Sequence, residues 1–211
     1  MTKFLFRAAR AVNSWVPWLR KLLPARSARR LLAMLMRRWV TQLPDRKYLE
    51  NQILPALRDG AFRKIVFVGT EIFTRDYGQH FIGTTTEYWT TDSDPHAAIY
   101  GEPNRHITCD VRELDRHFPA GSLDVVLLNG VFGFGVNDRP DMERTIIAIH
   151  NVLKPDGILM IGWNPGRIED PTALKGLRDL FQHESSLALP NRIELQSFGG
   201  NQHVYDFHRA H

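Results

Sequence analysis

The sequence predicts an α/β fold built on an open, mostly parallel seven-stranded sheet, with helices on both faces and an antiparallel strand pair at the C-terminus. Three observations predict it. From about residue 60, short continuous apolar runs replace the helical spacing of the N-terminal segment, as expected of strands buried on both faces of a parallel sheet. Helical-period or polar stretches separate these runs. Each run also stops at Gly, Asp or Asn, the residues that close strands into turns.

In chain order, the spacing predicts strands at Lys64 to Val68 (KIVFV), Glu87 to Thr91 (EYWTT), His106 to Cys109 and Leu123 to Leu128 (LDVVLL). A helix follows over Pro140 to Leu153, with Met142, Ile146, Ile149 and Leu153 on one face. Lys154-Pro155-Asp156-Gly157 stops it, since Pro cannot continue a helix and Gly suits the turn. Ile158 to Trp163 (ILMIGW) is the fifth strand, and Thr172 to Phe181 reads as a helix. Arg192 to Gln196 and His203 to Phe207 form the terminal pair around Gly199-Gly200. The organisation is a domain over 60–211 preceded by a basic amphipathic extension over 1–59.

The chain has 211 residues, 43% of them hydrophobic and 24% charged. That composition excludes a disordered chain. The single cysteine, Cys109, excludes a disulfide scaffold and points to a reducing, cytoplasmic setting. No uncharged apolar run approaches the ~18–20 residues that span a bilayer.

The net charge of +4 is unevenly divided. Residues 1–47 hold twelve Lys and Arg and one acid, Asp45, a charge of +11; residues 48–211 hold fifteen basic and 22 acidic residues, a charge of −7. In the first stretch Phe4, Leu5, Ala8, Val12, Trp15 and Leu19 recur at helical spacing among Lys3, Arg7, Arg10 and Arg20. Arginines beside Trp, Phe and Leu suit a helix in the headgroup layer of an anionic membrane, which would make the protein peripheral at a membrane's inner face. The same pattern serves helices packed on the domain or on a second subunit, and an Arg-rich transit peptide shares it. A nucleic-acid arm is the remaining alternative; nothing downstream resembles a groove reader or stacking platform.

Parallel sheets bind ligands at the carboxyl ends of their strands, where strand order reverses. Those ends are Gly69, Asp92, Asp110, Asn129 and Asn164, spaced by 23, 18, 19 and 35 residues. A carboxylate about 20 residues past the first turn is placed to accept hydrogen bonds from both ribose hydroxyls of a nucleoside, and Asp92 meets that spacing. Asp110 is placed to accept from an exocyclic amine such as that of adenine.

On these residues the chain resembles the class I S-adenosylmethionine-dependent methyltransferases, whose fold is Rossmann-like. The resemblance runs through VFVGTE (66–71), TTDSDP (90–95), ITCDVREL (107–114), LDVVLLNGVFGFG (123–135) and HNVLKPDGILMIGW (150–163). It implies S-adenosylmethionine as cofactor, with Asp92 on the ribose, Asp110 and the Val111 backbone on the adenine, Gly69 beside the amino-acid part, and Asn129 lining the far side. The first loop departs from the family: after Gly69 it reads Thr70-Glu71-Ile72-Phe73-Thr74-Arg75-Asp76-Tyr77, without further glycines. Glu71 is then a candidate for the cofactor's ammonium, and Arg75 or Tyr77 for its carboxylate. A loop that has lost its binding role, in a non-catalytic module, is the competing reading.

Methyl transfer needs alignment and water exclusion more than a protein nucleophile. For a hydroxyl acceptor a base helps; Asp138, His80 and His183 are the candidates, although Asp138 just ahead of Pro140 also suits a helix cap. The nine histidines show no paired ligand spacing, so no metal is expected. The sequence points to transfer of a methyl group to an O or N atom of a small-molecule or glycan-type acceptor.

Overall fold

The computed structural model describes residues 38–60, 62–185, 187–196 and 201–211. The expected amphipathic helices of residues 1–37 and the Gly199-Gly200 turn lie outside the described residues. Described helices are α1 (Pro44–Tyr48), α2 (Leu54–Asp59), α3 (Arg139–Val152) and α4 (Lys175–Leu180). The strands are β1 (Lys64–Val68), β2 (Glu87–Asp92), β3 (His106–Thr108), β4 (Leu123–Asn129), β5 (Leu153–Trp163), β6 (Phe181–Gln182), β7 (Arg192–Gln196) and β8 (Gln202–Ala210).

The sheet order is β3-β2-β1-β4-β5-β8-β6, with β7 also paired to β8. Strands β1 to β5 are parallel, and β8 runs antiparallel to β5, β6 and β7. Strand order reverses beside β1, which pairs with β2 on one side and β4 on the other. The expected parallel sheet and terminal antiparallel pair are both present, with eight strands in place of seven. The additional strand, β6, is two residues long, cut from the end of the expected 172–181 helix. That segment instead forms a 3-10 turn at Pro171–Ala173, then α4, then β6. The Lys154-Pro155-Asp156-Gly157 turn is a bulge in the β4–β5 ladder, which pairs Leu123 with Leu153 and resumes at Val125 with Ile158.

Because side chains alternate across a strand, the apolar runs feed two cores. On one face Val66, Val126, Leu128, Leu159 and Ile161 pack with Met142, Ile146, Ile149 and Val152 of α3. On the other, Ile65, Phe67, Val125, Leu127 and Met160 pack with Leu49, Ile53, Leu54 and Leu57, each 0% exposed. The boundary expected at residue 59 therefore falls inside a packed unit: 44–59 is a layer of the domain. Its middle, Leu49–Ile53, is a π-helical turn in which Leu54 N–H reaches back five residues to the Leu49 carbonyl. Pro55 accounts for it, since its ring would collide with the carbonyl four residues earlier in a regular α-helix. The Tyr205 hydroxyl donates to the Asp45 carbonyl at 3.0 Å and ties this layer to β8.

Between strands, the crossovers are mostly short 3-10 turns, at Tyr77–Phe81, Pro95–Tyr100 and Val111–Arg116. Among the described residues, no helix is long and apolar enough to cross a membrane.

Candidate functional site

The carboxyl ends of β1 to β5 open on a cavity of about 770 Å³. Gly69, Asp92, Asp110, Asn129 and Asn164, the five strand ends, all line it. Gly69 has φ of +91°, a backbone region that L side chains rarely adopt, and this turns the chain sharply off β1.

Asp92 ends β2, half-buried, with its carboxylate fixed by two backbone donors: Thr70 N–H at 2.7 Å on Oδ2 and Asp94 N–H at 2.8 Å on Oδ1. Each oxygen keeps a further lone pair, so the group stays competent to accept from a ligand. Asp110 is more committed. Its Oδ1 accepts from the Arg112 N–H at 2.9 Å, and the Arg112 guanidinium takes both oxygens from Nε at 3.0 Å. That bridge is the leading cause holding the Asp110 carboxyl below the usual carboxylate range. Arg112 also reaches Asp141 at the start of α3.

The floor carries buried polar groups without partners. Asn129 is 7% exposed and approaches the Tyr205 phenol, yet neither of its amide atoms meets a partner in hydrogen-bond geometry. His203, at the start of β8, is 3% exposed, and its Nε2 has no partner. Burial, then the Arg46 charge, pushes its pKa down to about 3, so it is a neutral imidazole at ordinary pH. Buried polar groups are normally satisfied. Two together in a cavity wall leave hydrogen-bonding capacity facing the cavity.

At the rim, the Arg167 guanidinium lies 4.1 Å from the Phe134 ring centre and donates to the Gly133 carbonyl at 3.1 Å. Phe134 and Trp39 are each more than a third exposed there.

Residues 68–161 match the family described as Methyltransferase domain. That part of the chain is thus similar to a methyltransferase domain. A comparison with curated proteins gives no match. Among solved structures, the N-methyltransferase NodS from Bradyrhizobium japonicum WM9 is similar at 15% identity and a TM-score of 0.61, covering 81% of this chain and 98% of that one. A second NodS structure, in complex with S-adenosyl-L-homocysteine, matches at 16% identity and a TM-score of 0.60, over 82% and 91%. The 1,6-didemethyltoxoflavin-N1-methyltransferase of Burkholderia thailandensis matches at 17% identity and a TM-score of 0.54, over 86% and 89%. At these identities the likeness establishes a shared fold.

S-adenosylmethionine is the cofactor that the sequence resemblance implies. The cavity's residues fit it: a carboxylate with spare lone pairs at the β2 end, the buried Val111 beside Asp110, a glycine turn after β1, and partnerless polar atoms beyond.

Of the residues expected in the site, the structure brings Gly69, Glu71, Asp92, Asp110, Val111 and Asn129 onto the cavity wall. Burial, then the Asp92 charge, raises the Glu71 carboxyl above its usual range. It does not bring in Tyr77, which is 2% exposed, packs edge-on against Phe67 at 5.4 Å and borders a separate cavity of about 470 Å³. His80 borders that same second cavity, carried there by the Tyr77–Phe81 turn. Asp138 caps α3, its Oδ1 accepting from Asp141 N–H at 2.9 Å, and lines neither cavity. His183 is bonded through Nε2 to Asp206 at 2.9 Å, away from both. Arg75 lines neither.

Two wall residues were missed by sequence reasoning. Arg46 stands at the end of a basic run and reads as one more solvated charge. His203 lies in a strand whose pattern, HVYDFH, gives no sign of which face opens on a cavity.

Proposed function

We propose that this methyltransferase transfers the methyl group of S-adenosylmethionine to a nitrogen or oxygen of a small-molecule or glycan-type acceptor seated on the Asn129 and His203 floor. The observation that carries this reading is the pair of buried, partnerless polar groups at the end of the cavity opposite Asp110. Asp92 would hold the ribose, Asp110 and the Val111 backbone the adenine, and the turn after Gly69 the amino-acid part. The cofactor, when bound, would supply a methyl carbon activated by its sulfonium, leaving S-adenosylhomocysteine, with the acceptor's N–H or O–H proton released to water. The chain's own contribution is placement. A neutral His203 can accept the acceptor's N–H or O–H hydrogen bond and so orient the lone pair. Phe134 and Arg167 stand where they would screen the reacting atoms from water.

In this reading, residues 1–47 hold the cytoplasmic enzyme at the anionic inner face of a membrane. Their +11 charge supports it, as does the exposure of Trp39 on the cavity rim, where an acceptor would enter.

The test is turnover of methyl-labelled S-adenosylmethionine with amine, phenol and glycan acceptors, with His203→Ala as control. We expect label transfer to at least one acceptor class and loss of most of it in the variant. No transfer to any class by folded protein contradicts the catalytic reading. Binding to vesicles rich in anionic lipid, weakened by salt and absent on neutral vesicles, tests the membrane part.

A further inference from the structure

The turn after β1 uses its backbone donors within the protein. Gly69 N–H donates to the Thr91 carbonyl at 2.8 Å, Thr70 N–H to Asp92 Oδ2 at 2.7 Å, Glu71 N–H to Thr74 Oγ1 at 2.9 Å, and Thr74 N–H to the Glu71 carbonyl at 2.9 Å. These four amides are therefore not free to cradle an anion, as those of glycine-rich turns do. A cofactor with its ribose at Asp92 lays its amino-acid end over this turn, and that end carries an α-carboxylate. Such a carboxylate, drawn out of water, is stable in the cavity only if a cation or several donors meet it.

Among the described residues, three arginines line the cavity: Arg46, Arg112 and Arg167. Arg112 is taken by Asp110 and Asp141, at the adenine end. Arg167 sits at the rim, against Phe134 and the Gly133 carbonyl. Arg46 stands beside the turn itself. Its guanidinium lies 4.7 Å from the centre of the Phe73 ring, a residue of that turn, and only 16% of its side chain is exposed. Its Nε is 3.5 Å from Asp45 Oδ2, a loose pairing for a bidentate fork. Phe73 thus covers one face, Asp45 takes one donor of the five that a guanidinium carries, and the Tyr77 phenol stands in reach of another.

The charge is secure and it is felt across the cavity. Burial opposes it, but the Tyr77 and Tyr205 phenols and the Asp45 carboxylate outweigh that effect and hold the Arg46 pKa above its ordinary value. The same charge favours the ionised form of Glu71 in the turn and the neutral form of His203 on the floor. Arg46 is held in place from the other side as well, because the neighbouring Asp45 carbonyl accepts from Tyr205.

We propose that Arg46 binds the α-carboxylate of S-adenosylmethionine, taking the place of the missing glycine-rich amides. The layer 44–59, which precedes the first strand, is then part of the cofactor site. This inference rests on the cofactor placement given under the proposed function.

The test compares two nucleosides by equilibrium titration: S-adenosylhomocysteine, which carries the carboxylate, and 5′-methylthioadenosine, which lacks the whole amino-acid end. Against the wild-type protein, Arg46→Met removes the charge and keeps the apolar stem. The expected result is S-adenosylhomocysteine binding weakened by about 10- to 100-fold, the span of a charged hydrogen-bonded pair, with 5′-methylthioadenosine unchanged within about twofold. Arg46→Lys, which keeps a charge without the fork, is expected to fall between. It decides the question by the same comparison if melting shows that Arg46→Met does not fold. Equal loss for both nucleosides, or S-adenosylhomocysteine binding at wild-type strength in the variants, overturns the role of Arg46 alone. A wild-type protein that binds neither nucleoside overturns the cofactor placement and this inference together.

Discussion

At the scale of single residues, the floor of the cavity depends on a missing side chain. Gly162 in β5 has no Cβ, and an ideal one would lie 2.0 Å from Asn129 Oδ1 and 3.1 Å from His203 Nε2. Asn129 fills the space an alanine would need. Gly162→Ala must therefore displace the amide, the imidazole or the strand, at a cost of about 1–3 kcal/mol typical of overpacking. The expected outcome is a lower melting temperature together with loss of acceptor turnover. Unchanged melting and turnover would show that the floor is not so tightly built.

The same residue scale shows what the sequence could and could not reveal. Asp92 and Asp110 were legible because strand ends follow from apolar run lengths, and the spacing between them is set by the crossovers. Arg46 was hidden, because its place on the cavity wall depends on a helix folding back onto Phe73. Tyr77 was a candidate for the cofactor's carboxylate and His80 for a base, yet a 3-10 turn carries both to another cavity.

At the scale of elements, β8 is held to its surroundings by one buried carboxylate. Asp206 is 0% exposed and accepts from Trp163 Nε1 at 2.8 Å, from Arg192 Nε at 2.7 Å and Nη2 at 3.0 Å, and meets His183 Nε2 at 2.9 Å. It joins β5, β7 and the segment after β6 across the antiparallel edge of the sheet. Removing one partner of a buried charge pair strands the other, which costs about 3–5 kcal/mol. Asp206→Asn is accordingly expected to lower the denaturation midpoint substantially without abolishing S-adenosylhomocysteine binding in protein that remains folded. A midpoint equal to wild type would show that the network is dispensable. This element-scale link also explains His183: its acidic neighbour, 23 residues away in sequence, makes it a structural tie. The strands themselves were legible from continuous apolar runs, whereas the β5 bulge and the two-residue β6 were not, since both depend on pairing partners.

At the scale of the whole molecule, two buried neutral imidazoles couple folding to pH. His203 titrates only at about 3 and His208 at about 4, both mainly because of burial. In the unfolded chain a histidine takes up its proton near 6.5. Between about pH 6.5 and 4 the unfolded state binds more protons, so these groups stabilise the fold fully above that window and lose effect as pH falls through it. The slope approaches about 1.4 kcal/mol per pH unit for each histidine. Urea denaturation at pH 7 and at pH 5 should show the drop, reduced in His208→Gln. A flat profile over that range would contradict burial of the two rings.

The central claim is that the cavity at the strand ends holds S-adenosylmethionine through Asp92 despite the altered first turn. Isothermal titration of the protein with S-adenosylmethionine and S-adenosylhomocysteine, beside Asp92→Ala, tests it most directly. The account predicts saturable binding of both by the wild type, weakened at least about tenfold in the variant, as loss of hydrogen bonds to a charged group implies. Absence of binding by folded wild-type protein, or equal affinity in Asp92→Ala, would contradict it.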